Sequence, residues 1–216
     1  MNVKAARASA TRESILVTAE RLFAEHGVQV VSNRHISEAA GQGNNAAVNY
    51  HFGTKVDLVR AIVRKHAEPM ERLRAELVEA TGDDAGLREW VACLVRPSTT
   101  YLRELGAPTW FARFSAQVMT DPALRAIIAE ESLASPALAR AVEGLNRCLD
   151  GLPADVRAER SDMARQLMIH MTAERERALA EGTPTPRATW DDAGTGLIDA
   201  VTGLLLAPVT PVRPRG

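Results

Sequence analysis

Cysteine and aromatic residues are scarce in this chain of 216 residues, which has two cysteines, three tryptophans, two tyrosines and four phenylalanines. Cys93 and Cys148 stand alone, with no CxxC pair or His/Cys cluster, so neither a zinc site nor a disulfide framework is expected. That economy fits a reducing cytoplasm. No apolar run approaches the roughly 20 residues of a membrane span. Residues 1–14, MNVKAARASATRES, lack the apolar stretch of a secretory signal. No glycine-rich phosphate loop or acid pair stands out and the histidines are scattered, so the sequence points away from an enzyme and implies no cofactor or metal.

What is present is helical. Hydrophobic residues make up 46% of the chain and charged residues 25%, ordinary values for a globular protein. Apolar residues recur at the helical period, with no strand-like alternation, internal repeat or sustained heptad. Charge is divided unevenly: of 26 basic and 27 acidic residues, nine and five fall within residues 1–65, so this segment carries +4 and the rest −5. A basic head on an acidic body hints at a polyanionic partner.

Along the head, Ile15, Leu16, Ala19, Leu22 and Phe23 share one face of a helix expected from Thr11, its N-cap, to His26, with Gly27 as its stop. Ser32 caps a short second helix that turns Ile36, Ala39 and Ala40 inward and ends at Gly41. A turn and a third short helix follow in GQGNNAAVNYHFGTK, residues 41–55. Thr54 and Asp57 form a capping box for a fourth helix whose buried stripe is Val56, Val59, Ile62 and Val63. Pro69 should kink or end it. Further helices are expected at roughly 86–105, 108–119, 121–147, 154–181 and 189–207, separated by Gly/Pro/Asp clusters.

On the third helix Val48 points to the core, leaving Ala46, Ala47, Asn49 and Tyr50 outside. Small alanines allow close approach and can touch a thymine methyl. Asparagine offers the donor–acceptor pair that reads an adenine edge, and Tyr50 and His51 can donate to phosphates. Lys55 opens the next helix, where its charge and the helix N-terminus both attract a phosphate. Ser32 reads first as a cap, Arg34 as a phosphate ligand, and Asn44 and Asn45 either as caps or as phosphate contacts. Lys4, Arg7 and Arg12 form a sparse basic arm or a frayed terminus.

Phe23-x-x-x-Gly27, Ile36-x-x-x-Ala40-Gly41 and Tyr50-His51-Phe52-Gly53-x-Lys55 leading into Leu58 resemble the DNA-binding head of the TetR family of bacterial transcriptional regulators, over residues 11–63. The chain departs from that pattern twice. Gly41 to Phe52 is one residue longer than usual, and Asn49 stands where an aromatic is common.

The resemblance implies an all-α protein: a flexible arm at 1–10, a helix-turn-helix head at 11–53, a connecting helix from 54, a helical ligand-binding and dimerisation body at 69–208, and a flexible tail at 209–216. It further implies a repressor that binds a palindromic double-stranded DNA operator as a homodimer and is released by a small molecule. Trp90, Cys93, Tyr101, Trp110, Phe111, Phe114, Met119 and His170 are pocket candidates, each also readable as helix–helix core or, for His170, as an interface residue. The homodimer would form through the last two helices, with stripes at Met163, Leu167, His170 and Met171 and at Leu197, Ile198, Val201, Leu204 and Leu205.

Overall fold

The computed structural model describes residues 3–44 and 46–210, which form ten α-helices and no strand. In the head, α1 (Val3–His26) supports α2 (Asn33–Ala39) and α3 (Ala47–Phe52). Ile15, Leu16, Ala19, Leu22 and Phe23 of α1 close over Ile36 of α2 and Val48 of α3, all buried. Burying a side chain of this size stabilises by about 1.5–3 kcal/mol, which is how such short helices persist. Gly27, at φ +88°, ends α1 and donates its N–H to Phe23 O over 2.9 Å. Ser32 Oγ accepts from His35 N over 3.1 Å, the expected cap of α2.

Three expectations for the head need correction. First, α1 begins at Val3, so Thr11 lies inside it and residues 3–10 continue the helix; Ala5, Ala6, Ala8 and Ala10 are strong helix formers. Residues 1–2, Asn45 and 211–216, and the side chain of Lys4, lie outside the described part. Second, Ala39 is exposed, because the seven-residue α2 needs only Ile36 and Ser37 beneath it. Third, Val56 is exposed and the inward stripe of the fourth helix starts at Leu58.

That helix, α4 (Lys55–Ala80), opens with the expected Thr54–Asp57 capping box and passes through Pro69 without ending. It packs on the body along its length, against α5 (Leu87–Leu105), α7 (Pro122–Leu133) and α8 (Pro136–Cys148), and this packing outweighs the lost backbone hydrogen bond. The remaining helices are α6 (Phe111–Thr120), α9 (Ala154–Glu181) and α10 (Trp190–Leu206). The single helix expected at 121–147 is two, broken at Ala134–Ser135. Pro136 cannot donate to the preceding turn, and Ser135 Oγ caps α8 by accepting from Leu138 N over 3.3 Å. Similarly, α6 starts at 111 rather than 108. The buried carboxylate of Glu176 on α9 accepts from Ala112 N and Arg113 N at 3.0 and 2.9 Å, satisfying the first turn.

The buried apolar residues fall into two clusters. One runs without a break from the head into α5, α6 and α7, with the Phe23 and Phe114 rings stacked at 6.3 Å. The other fills the far end between α5, α8, α9 and α10, around Trp90.

Candidate nucleic-acid interface

On α3 the wheel places Val48 in the core and turns Asn49 and Tyr50 out; Tyr50 is 84% exposed. A phenol ring left this bare on a head with a tight core has no packing role inside the protomer. Its neighbour His51 meets it edge-on at 5.0 Å, so two hydrogen-bonding rings stand together. Asn49 is braced: Asn33 Nδ2 donates to Asn49 Oδ1 over 2.7 Å, fixing the two short helices to each other. The amide of Asn49 keeps its own N–H donors, and the second lone pair of Oδ1 can still accept.

Ala46 is exposed as expected. Ala47 is not: at 8% exposure it lies beside Val48 in the core. A six-residue helix buries two adjacent positions because both edges of its inner face are covered, by α2 and by α4. Asn44 Oδ1 accepts from Ala46 N over 2.9 Å, which gives it the capping role at the start of α3. Gln42 N bonds to Ser37 O over 2.9 Å and Gly41 takes φ +70°, so the longer turn is held from both sides.

Around this surface the cations are largely engaged. Arg34 Nε meets Glu38 Oε1 at 2.8 Å on the exposed side of α2. Lys55 Nζ donates to Val28 O at 3.1 Å, tying α4 to the loop after α1 while leaving two N–H donors. Arg12, expected in a loose arm, lies over the Phe52 ring at 4.6 Å. Sequence reasoning missed Asn33. Its position at the first turn of α2, sixteen residues before Asn49, carries no signal until the turn is folded.

In the body, the eight pocket candidates scatter. Trp90 and Cys93 belong to the far core cluster, and Phe114 and Met119 are buried core of α6; large apolar side chains on helix–helix contacts are consumed there. Trp110 precedes α6 half-buried, and His170 is exposed on α9. Tyr101 is buried against His66, its hydroxyl 2.9 Å from Nδ1. His66 Nε2 lies 3.0 Å from Glu20 Oε2 but without hydrogen-bond alignment, a close polar approach rather than a straight bond. Burial, and then the Glu20 charge, push the Tyr101 phenol up to about 12. Of the eight, Phe111 alone lines the cavity of about 580 Å³ enclosed by α4 to α9. The signal that could have found this cavity is the stripe Val63, Ala67, Met70, Glu71 and Arg74 on α4.

The α10 stripe is also reassigned. Leu197, Ile198, Val201 and Leu205 are buried within the protomer, and Leu204 is half-buried, because α10 packs on α5 and α9. On α9, Met163 and Met171 remain 46% and 51% exposed beside His170 and half-buried Leu167. Among the described residues no helix is long and apolar enough to cross a membrane, and no group of His, Cys, Asp or Glu is placed to hold a metal.

Two short helices joined by a tight turn and braced by a longer helix, on a larger all-helical body, define a helix-turn-helix protein. Residues 15–62 match the family model for bacterial regulatory proteins of the tetR family. Among curated proteins, the chain is 33% identical over 119 residues to the HTH-type transcriptional repressor AcnR of Corynebacterium glutamicum, covering 54% of this chain and 55% of that one. It is 35% identical over 68 residues to the HTH-type transcriptional repressor BepR of Brucella suis, covering 32% of each. The match thus spans about half the length of AcnR and a third of BepR. The fold is like that of Mycobacterium smegmatis AmtR, with a TM-score of 0.56 at 20% identity over 92% of this chain and 87% of the other. The head, over residues 15–62, is thus similar to that of the tetR family of bacterial regulatory proteins.

Proposed function

We propose that this protein is a cytoplasmic DNA-binding transcriptional repressor that acts as a homodimer on a palindromic operator and releases it when a small molecule enters the body. The observation that carries this reading is the outward pair Asn49 and Tyr50 on α3. One is held by Asn33 and the other is nearly bare, over a core-facing Val48. A braced amide and an exposed phenol are the groups a major-groove edge and a phosphate would meet. Ser32, Arg34, Ala46, His51 and Lys55 frame the contact, and Asn44 serves it by holding the turn. Repressor relatives that share the head support the sign of regulation.

The dimer reading is supported by the exposed α9 stripe of Met163, Leu167, His170 and Met171, with α10 braced behind it by its own buried stripe. A two-fold dimer would set the heads one DNA turn apart, about 34–36 Å. The cavity supplies the place for a ligand, whose leverage is its differential affinity for bound and released states. Arg34 and Lys55 are the cations nearest the interface in sequence. A dimer would therefore neutralise on the order of four phosphates, giving a log–log salt slope of about −4. Selection from a random DNA pool tests the whole reading: two inverted half-sites about one turn apart are expected, and an enriched pool with no common sequence would refute it.

A further inference from the structure

The cavity between α4 and the body has uneven chemistry, and its inventory can be closed. Five hydroxyls line it, and each spends its proton on the protein. Ser98 donates to Val95 O and Ser115 to Phe111 O, both at 2.9 Å, and Ser132 to Ile128 O at 2.7 Å. Thr172 donates to carbonyls one turn back on α9, and Ser135 to Glu71. Two of the lining carboxylates are engaged as well. Glu71 accepts from Ala137 N at 2.7 Å, from Ser135 and from Arg74 Nη1 at 3.1 Å. Glu131 is held from α4 by Arg64 at 2.9 Å and Arg60 at 3.6 Å. Glu68 and Arg72 are solvent-exposed and of opposite sign.

Arg74 is what remains. Its side chain is 12% exposed, and its Nε is fully buried with no partner. Burial depresses its pKa despite Glu71, the signature of a guanidinium whose desolvation is incompletely offset. A buried donor left unmet is costly, and an incoming anion would remove that cost. An incoming cation would find both half-buried carboxylates, Glu71 and Glu131, already taken.

The rest of the wall is hydrocarbon. Along α4, Val63, Ala67 and Met70 precede Arg74 on the same side, and Leu102 and Phe111 close the opposite end. Eleven residues of helix separate Val63 from Arg74, about 16 Å at 1.5 Å per residue. At the apolar end the Phe111 ring stacks on His66 at 4.1 Å, and His66 approaches Glu20 of the head.

We propose that the cavity takes a linear amphiphilic carboxylate, its head group on the Arg74 guanidinium and its hydrocarbon chain along α4 toward Phe111. This rests on the ligand-release reading above and specifies the ligand's chemistry.

The test uses the full chain without DNA and three ten-carbon probes below their micellar concentrations: decanoate, decanol and decyltrimethylammonium, each by calorimetric titration. Decanoate should bind about tenfold or more tighter than either other probe, the worth of one charge-assisted hydrogen bond. Arg74→Met should erase that preference while leaving decanol binding as it was. A preference for the ammonium, no binding of any probe, or a decanoate preference that survives Arg74→Met would overturn the proposal. If Arg74→Met loses its cooperative melt, the ranking of probes on the unaltered protein decides alone. Selection from random DNA separates the two readings: a chain that selects operators but ignores decanoate fails this proposal only, and one that binds decanoate but selects no DNA fails the other.

Discussion

The two core clusters do different work. The far cluster is apolar packing around Trp90, pressed so closely by α8 that a Cβ on Gly144 would overlap the indole ring. The near cluster is shared property: α1 of the head and α6 of the body are joined through Phe23 and Phe114, and a buried polar seam of Glu20, His66 and Tyr101 runs beside them. Ion pairs add to that seam from outside, Arg60 with Glu130 at 2.5 Å and Arg64 with Glu131 at 2.9 Å. Gln29 in the loop after α1 also bonds to Asp121, the cap of α7. The head therefore shares its core with the body, whereas the far end of the body packs around a separate one. A change in the near cluster should reach the outward side of α3, and a change in the far cluster should not.

Phe114→Ala should have the largest effect, costing about 3–5 kcal/mol through loss of burial and the cavity left behind. Head and body should melt in one shifted transition by circular dichroism. Separate melting of the head would show that the near cluster is not shared. Gly144→Ala should cost about 2–3 kcal/mol by overpacking against Trp90. Denaturant melts should register the loss while operator affinity stays unchanged; an equal fall in affinity would abolish the distinction between the clusters.

The polar seam sharpens the comparison through pH. Tyr101 ionises near 12 in the folded protein, against about 10 when exposed. A raised folded value means that its contribution to stability is complete below about pH 10 and is lost as pH climbs from there toward 12. Stability should fall across that window, and Tyr101→Phe should flatten the fall. An unaltered pH profile in the variant would place the cause elsewhere.

The head was legible in the sequence because its chemistry is local. Ser32, Gly41, the Thr54–Asp57 box and the run around Asn49 and Tyr50 act within a few residues of one another, so helical period and capping rules place them. Ala47 escaped because a six-residue helix has too few positions to define a wheel, and Asn33 because its partner is across a turn. The body was legible only as helices. Its cavity is assembled from six of them, and whether Trp90 or Arg74 faces it depends on packing between residues far apart in the chain. Aromatic content misled there, since the largest side chains went to the cores and the cavity kept smaller and charged ones.

The central claim is that the outward side of α3 meets DNA. Its most direct measurement is the operator affinity of Asn49→Ala and Tyr50→Ala at low salt, beside their melting temperatures and oligomeric state. Each should lose about tenfold in affinity, near 1.4 kcal/mol, with melting and assembly unchanged. Undiminished binding by both variants would contradict the account.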